Sequence, residues 1–352
     1  MKIPRSWYDK RWYARAKQLL FEVLYRSGLL AIFRFLRRDS VLVLTYHDIL
    51  PPGFPEGDPL FGMTVSTAEF EWQLEYLCRR YSPITLRQFV DWICGTGSLP
   101  PRALLLTFDD GHNNNLQLAL PLLKKYKLSA VCFCLTAFLG KRNLTWVEEG
   151  YYRIWHSSTP SWRMTSGESL PLTTIAERAA ACGRFFGLFR TIPEAEQVLE
   201  FENLRRQLPV EIDLDRFPGR FDFMDSNDLR ELRQNAIEIG AHTASHPILA
   251  TLSEARAQQE VAGSKSEIEA AAGSEIRAFA YPFGMPGIDF SSRDATIAKQ
   301  VGFSVAFAAH DGFVQRDTNP FSIPRFGIGR MSRAQFAATV SGVLTFLKRG
   351  FA

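Results

Sequence analysis

Two adjacent carboxylates, Asp109 and Asp110, directly follow a short apolar run in this sequence of 352 residues. The run, residues 103–108, has the length and composition of a buried strand, and Gly111 after the acids permits a turn. Packing gives no reason for two neighbouring acids at the rim of a sheet, because like charges held close repel each other and shift each other's pKa. A bound cation would stabilise the pair, so we expect a metal site here.

Two histidines four residues apart, His242 and His246, supply a second half for that site. They follow another predicted strand, residues 237–241. With Asp110 they offer two nitrogens and one oxygen to one ion, which leaves open positions for water and substrate, as catalytic sites do. Each motif alone is weak, since Asp-Asp-Gly turns and pairs of surface histidines are common. Their joint occurrence at strand ends favours a metal centre.

An alternation of strands and helices predicts how the two motifs meet. Predicted strands cover residues 41–46, 103–108, 130–135, 237–241, 276–281, 303–308 and 321–326. Predicted helices cover residues 67–80, 86–93, 115–126, 226–234, 253–272, 292–301 and 332–348. This spacing favours parallel strands with crossover helices, and the chain length suits one α/β barrel with room for an insertion.

Two regions depart from this alternation. Residues 140–220 are rich in aromatic residues and hold two helical segments, 176–188 and 193–208, which we interpret as an insertion on the rim of the barrel formed by residues 41–352. Residues 1–40 form a basic N-terminal segment with ten Lys/Arg and three Asp/Glu, a net charge of +7 against −3 for the remainder. Within it, residues 19–36 are typical of an amphipathic helix that either packs on the barrel or lies on an anionic membrane surface.

The composition excludes some classes of function. Hydrophobic residues make up 46% and charged residues 22% of the chain, as in ordinary globular proteins. No basic stripe accompanies a nucleic-acid-binding motif, so nucleic acid is not expected as a partner. Five cysteines without zinc-type spacing favour a reducing compartment. The sequence shows no export signal and no membrane-spanning run, which predicts a cytoplasmic location, with residues 1–40 available for peripheral contact at the inner membrane face.

The motifs resemble those of a known family. Residues 107–111 (Thr-Phe-Asp-Asp-Gly) and 242–247 (His-Thr-Ala-Ser-His-Pro) are similar to the first two motifs of the polysaccharide deacetylases, carbohydrate esterase family 4 with the NodB homology domain. Residues 278–284 resemble the third motif. Residues 44–48 and 323–326 look like the exopolysaccharide-associated branch. The resemblance covers about residues 41–330 and implies a distorted (β/α)7-type barrel with a divalent metal, usually zinc.

The resemblance implies removal of N-acetyl groups from an amino sugar or N-acetylated glycan. Asp110, His242 and His246 would hold the metal, and Asp109 would act as the general base. The third motif would line the substrate pocket with Tyr281, Phe283 and Gly284. A backbone N–H near Phe283 or Gly284 would stabilise the oxyanion.

Two departures from the family pattern affect the expected roles. Ala280 stands where the third motif usually carries the arginine that orients the base. Arg277 or Arg325 is expected to replace it, and Arg325 is also assigned to substrate binding. The late histidine that acts as general acid has no counterpart. We assign His47, at the end of the first strand, to protonation of the leaving amine or to substrate binding, with a hydrogen-bonded structural histidine as the alternative.

Three other histidines are not assigned to the site. His310 is predicted in a loop, and His112 and His156 on the surface.

Other functions stay open on this sequence. The altered third motif and the missing late histidine suit a carbohydrate-binding protein that has lost turnover. The same metal site would also suit a hydrolase of another amide or of an acetyl ester, because a fold does not fix its substrate. Trp146, Tyr151 and Trp155 of the insertion form either a stacking platform for sugars or part of a core.

Overall fold

Eight parallel strands form one curled sheet in the computed structural model, which describes residues 5–55 and 57–345. The strands are β1 (Leu42–Tyr46), β2 (Ser82–Pro83), β3 (Ala103–Phe108), β4 (Ala130–Cys134), β5 (Ile237–Ala241), β6 (Ala278–Ala280), β7 (Val305–Phe307) and β8 (Phe326–Gly327). Their order is β7-β6-β5-β4-β3-β1-β8, with β2 paired to the start of β3. The predicted strands and their parallel arrangement are therefore present.

The segment before β8 brings the two ends of the sheet together. Ile323 forms an isolated parallel bridge to Phe307 of β7, and Phe326 then pairs with Leu44 of β1. The predicted strand 321–326 is thus split between two neighbours, and only its last residue belongs to regular β8. This closure gives the distorted barrel that the resemblance implied, and its strands end at one common rim.

Twelve α-helices surround the sheet in the described part of the chain. They are α1 (Arg5–Ser27), α2 (Leu30–Leu36), α3 (Thr67–Cys78), α4 (Leu86–Ile93), α5 (Leu120–Lys125), α6 (Trp146–His156), α7 (Ile175–Phe189), α8 (Glu194–Gln207), α9 (Ser226–Gln234), α10 (Glu254–Ala272), α11 (Ser292–Gln300) and α12 (Arg333–Ser341). The end of the predicted helix 332–348 lies partly outside the described residues. None of the helices described is long and apolar enough to cross a membrane.

Side chains of the strands alternate between two apolar cores. Val43, Leu105 and Phe133 point into the barrel, whereas Leu44 and Leu106 pack under the surrounding helices. The inward positions continue with threonine and aspartate toward the rim. The alternation therefore delivers polar side chains to the carboxyl end of the barrel interior.

The free cysteines of β4 lie on the outer side of the sheet. Cys132 and Cys134 share that face, with their sulfur atoms 3.8 Å apart, as small members of the outer core. Both are buried and pack as small core residues.

The inserted residues 140–220 have an apolar core of their own. Helices α6, α7 and α8 and an antiparallel ribbon, Ser161–Arg163 with Ser169–Pro171, surround the buried Trp162 and Phe185. Ile248, just after the histidine motif, belongs to the same apolar cluster. The insertion is thereby fixed to the rim next to the two histidines.

Candidate active site

Asp110, His242 and His246 converge at the carboxyl ends of β3 and β5. Oδ1 of Asp110 lies 3.5 Å from Nε2 of each histidine, and one ligand atom from each residue lies within 4.8 Å of the others. Asp110 and His246 both adopt left-handed backbone, with φ of 72° and 63°. Such strain is found where a fold must aim a functional side chain. The structure therefore brings the predicted ligands together.

The three residues fit a divalent metal ion. Nδ1 of His242 donates to the carbonyl of Ala280 at 2.7 Å, so its Nε2 keeps a lone pair for a metal. Oδ1 of Asp110 is buried and has no hydrogen-bond partner within the described chain. Burial, followed by the carboxylates of Asp109 and Glu148, raises the pKa of Asp110 well above its usual value. A cation beside this oxygen would remove that penalty.

Both imidazoles are suited to remain neutral ligands. Burial lowers the pKa of His242 to about 4, and it lowers the pKa of His246 well below its usual value, with His242 adding to the effect. A neutral imidazole is the form that binds a metal.

Arg325 lies beneath Asp109 inside the barrel. Its Nη1 donates to Oδ1 of Asp109 at 2.7 Å and its Nη2 to Oδ2 at 2.8 Å, while Nε donates to the carbonyl of Ala308. Threonines 45 and 107 accept further hydrogen bonds from Nη1. Burial raises the pKa of Asp109, but Arg325 and His242 lower it by more, so Asp109 stays ionised.

The assignment of Arg325 to substrate binding is wrong. The residue is only 1% exposed and its guanidinium is fully engaged below Asp109, so it does not reach the cleft. Its guanidinium instead holds Asp109, which is the role of the arginine that the third motif usually carries at the position of Ala280. The other candidate, Arg277, is exposed and pairs with Glu275 at 3.1 Å.

His47 follows β1 and lines the cleft beside Asp109. Burial lowers its pKa, and the nearby carboxylates of Asp109 and Asp48 act in the opposite direction. Nδ1 of His47 is buried, and no partner for it occurs among the described residues. The alternative of a structural histidine held through this nitrogen therefore has no support.

The residues of the third motif differ in their access to the cleft. Phe283 lines it, with its ring centroid 4.6 Å from that of His246. Tyr281 borders the cleft, but its ring is buried against Phe290 and its hydroxyl donates to the carbonyl of Phe321. Tyr281 therefore lines the cleft as predicted, while its ring and hydroxyl are held from behind.

Gly284 does not line the cleft as predicted. Its N–H donates to the carbonyl of Pro282 at 2.6 Å, so it is not free for an oxyanion. A Cβ here would lie 2.6 Å from the nitrogen of Ala309, and φ is 68°. The glycine is needed because two backbone segments pass at close range.

His112 is buried, not on the surface. The Asp-Asp-Gly turn folds it inward, where its ring lies 4.4 Å from that of Phe223 and its Nε2 lies 4.0 Å from Oδ2 of Asp110. His156 is also largely covered, with Nε2 3.7 Å from Oδ2 of Asp58. His310 lies in the loop after β7, as expected, and its carbonyl accepts from the backbone of Arg325.

A buried arginine that sequence reasoning missed organises the far side of the site. Nη2 of Arg220 lies 2.9 Å from Glu148 and 3.2 Å from Asp48, and Nη1 lies 3.3 Å from Nε2 of His112. Arg220 and Glu148 come from the insertion, where no motif or periodicity distinguishes them from surface charges. Only the isolated Asp48 next to His47 gave a signal in the sequence.

A cleft of about 370 Å³ opens above these residues. The insertion forms one wall with Tyr151, Phe186 and Arg190. Trp146 is part of a core, since its ring stacks on Phe189 at 4.9 Å and its Nε1 donates to the carbonyl of His246 at 2.8 Å. Of the three predicted platform residues, only Tyr151 reaches the cleft; Trp155 packs within the insertion.

The chain is similar to known deacetylases. A protein of Staphylococcus aureus named poly-beta-1,6-N-acetyl-D-glucosamine N-deacetylase is 29% identical over 116 residues, which cover 30% of this chain and 40% of that relative. The Streptococcus pyogenes deacetylase PplD in complex with acetate aligns with a TM-score of 0.57 at 15% identity, covering 86% of this chain and 98% of its own. IcaB from Ammonifex degensii gives 0.55 at 18%, covering 86% and 97%.

The two solved structures, at these identities, show the fold alone and confirm the predicted barrel. The family model described as polysaccharide deacetylase matches residues 96–179 and 203–306, which is more than half of the chain. This match includes the Asp-Asp and His-x-x-x-His motifs and confirms the family that the sequence predicted. The chain belongs to the polysaccharide deacetylase family.

Proposed function

We propose that this protein is a zinc-dependent hydrolase that removes N-acetyl groups from an amino sugar or N-acetylated glycan. The observation that carries the proposal is the placement of an ionised Asp109 beside three converging metal ligands at the floor of a cleft. Two nitrogens and one oxygen with open positions suit zinc in a hydrolytic role. The name of the Staphylococcus aureus relative supports the choice of an N-acetylated sugar.

The chain's own residues supply the base and the acid. Asp110, His242 and His246 would hold the ion, which when bound polarises an amide carbonyl and makes water more acidic. Asp109, fixed by two hydrogen bonds from Arg325, accepts the proton of the attacking water. His47 lines the same cleft and donates a proton to the departing amine.

The cleft suits a sugar ring next to its acetamido group. Its volume of about 370 Å³ lies within the range of small-ligand sites. Tyr151, Phe186 and Phe283 contribute aromatic surface to its walls, and such surface packs against the apolar faces of sugars. Arg190, at the rim, is held by Asp289 at 2.7 Å and leaves part of its side chain exposed.

A carbohydrate-binding protein without turnover is the weaker proposal. It rested on the missing arginine of the third motif and on the missing late histidine. Arg325 and His47 come from other parts of the chain and supply an orienting guanidinium and an imidazole at the site. These two residues counter the two departures from the family pattern on which the alternative rested. A cytoplasmic location stays a prediction.

Release of acetate from N-acetylglucosamine oligomers, with and without a chelator, tests the proposal. We expect Asp109→Asn to retain zinc by metal analysis and to lose about 100-fold or more of its turnover, because only the base is removed. His246→Ala should lose both zinc and turnover. Zinc-loaded wild-type protein that releases no acetate from any oligomer, or turnover that survives Asp109→Asn, would contradict it.

A further inference from the structure

Exposed apolar side chains are concentrated on the two N-terminal helices. Twelve large apolar residues are exposed in the described part of the chain, and seven of them lie within residues 19–36. These seven define what we call the outer face: Leu19, Leu20, Val23, Leu29, Ile32, Phe35 and Leu36, each 44 to 66% exposed. A cluster of exposed apolar side chains on the surface of a folded protein indicates a site of interaction.

The outer face does not take part in packing against the barrel, because each helix buries its opposite side there. In α1, Leu19, Leu20 and Val23 lie on one side, whereas Phe21 points the other way into the main core. In α2, the inward residue is Leu30. The two helices are therefore apolar on both sides, and among the described residues only the inner sides are covered.

The inner sides are firmly attached to the barrel. Phe21 and Leu30 belong to the same core cluster as Phe336 of α12, and Arg34 donates to the hydroxyl of Tyr76 in α3 at 3.2 Å. The guanidinium of Arg37 lies over the ring of Phe313. These contacts fix the outer face as a defined surface of the folded protein.

The charge around this surface indicates the kind of partner. Residues 1–40 carry a net charge of +7, whereas the remaining residues carry −3. Arg26 and Arg38 are exposed beside the outer face, in surface pairs with Glu22 and Asp39 that solvent weakens, and the guanidinium of Arg38 lies over the ring of Phe35. Apolar residues bordered by cations are the pattern of helices that lie in a membrane interface.

We infer that the outer face of α1 and α2 binds the surface of an anionic lipid bilayer. The apolar side chains would enter the boundary of headgroups and acyl chains, and the cations would pair with lipid phosphates. A second copy of the chain is disfavoured as the occupant, because residues 16–40 of each copy, with five Lys/Arg against two Asp/Glu, would face each other. None of the seven outer-face residues is among the described residues that line the catalytic cleft.

Flotation of the full chain with lipid vesicles tests this inference. Wild-type protein should float with vesicles of phosphatidylglycerol and phosphatidylcholine, less at high salt, and not with phosphatidylcholine alone. Ile32→Glu combined with Phe35→Glu should lower the partition coefficient by about tenfold or more, because two inserted apolar side chains are lost. The matched control, Ile175→Glu with Leu199→Glu, changes exposed apolar residues of the insertion and should float like wild type.

Two further measurements make the outcome decisive. Acetate release from soluble oligomers should be the same in both variants, which shows that they are folded. The inference would be overturned if the wild-type protein failed to float, or if the control variant lost as much flotation as the outer-face variant. It would also be overturned if light scattering showed that the wild-type protein is a dimer that does not bind vesicles and that the outer-face substitutions dissociate. Flotation needs no turnover, so it is independent of the proposed reaction.

Discussion

In the proposed reaction, Arg325 acts through Asp109 and not through contact with substrate. Both carboxylate oxygens of Asp109 accept from its guanidinium, in the paired geometry that lysine cannot reproduce. We expect Arg325→Lys to lower kcat about 10- to 100-fold with little change in KM, because the base is misplaced while the cleft is intact. Steady-state kinetics on N-acetylglucosamine oligomers measure this effect.

The pH profile separates this positioning role from a merely structural one. Arg325 lowers the pKa of Asp109, so its replacement by methionine should raise that pKa and move the acid limb of kcat/KM to higher pH. The same change should cost about 3–5 kcal/mol in the free energy of unfolding, because it leaves a buried carboxylate unpaired. An unchanged acid limb in Arg325→Lys and Arg325→Met would exclude the positioning role.

His47 is tested by the leaving group of the substrate. Protonation of the departing atom matters for a sugar amine but little for nitrophenolate, which leaves as a stable anion. We expect His47→Gln to lower deacetylation of N-acetylglucosamine oligomers by about 100-fold and hydrolysis of 4-nitrophenyl acetate far less. His310→Gln is the control, because His310 lies in a loop and is not among the described residues that line the cleft. An equal loss on both substrates would assign His47 to binding or structure instead.

The ligands could be predicted from the sequence because Asp110 and His242 stand at the ends of buried strands and His246 lies four residues after His242. The strand fixes where the side chain emerges, so type and position together were informative for Asp110, His242 and His246. The same reasoning named Arg325 as one of two candidates to orient the base but did not separate it from Arg277, because the partner of Arg325 lies 216 residues earlier in the chain. Arg325 lies deep in the barrel because the segment from Ile323 to Phe326 joins the two ends of the sheet. That segment has no hydrophobic periodicity that would predict this position.

Strand β5 shows how packing inside the barrel positions the histidines. A Cβ at Gly240 would lie 2.4 Å from the ring of Phe133 in the neighbouring β4. We expect Gly240→Ala to cost about 1–3 kcal/mol in the free energy of unfolding and to weaken metal binding, because β5 carries His242 at its end. Chemical denaturation and metal titration measure the two effects.

Gly263→Ala is the matched control for this substitution. Gly263 lies within α10, and a Cβ there would meet nothing within 4 Å. Alanine should therefore be neutral or stabilise by about 1 kcal/mol through helix propensity. Equal destabilisation by the two changes would show that the contact with Phe133 does not limit β5.

Elements with a strong local period were predicted well, and those held by distant contacts were not. Residues 237–241 and 86–93 were predicted with the bounds that the structure has. Helix α6 was missed because its Trp and Tyr residues face two cores, around Trp162 and Phe221, which removes the one-sided pattern. The bridge at Ile323 depends on the curvature of the whole sheet, which no short segment encodes.

At the scale of the whole molecule, the metal site joins parts of the chain that are far apart. Asp110 follows β3, the histidines follow β5, and β4 lies between these strands. The indole of Trp146 ties the insertion to the carbonyl of His246 at 2.8 Å. A bound ion would therefore stabilise the rim of the barrel and the insertion together.

Removal of the metal should consequently lower global stability. At a free zinc concentration about 100 times its dissociation constant, binding adds about 2.7 kcal/mol to the folded state. For a chain of this size, chelation should lower Tm by several degrees, on the order of 5 °C, and added zinc should restore it. His246→Ala should show no such shift, since it lacks one ligand, while His310→Ala should respond like wild type. If chelation lowered the Tm of His246→Ala as much as that of wild type, zinc would be binding elsewhere and the assignment of these three ligands would be wrong.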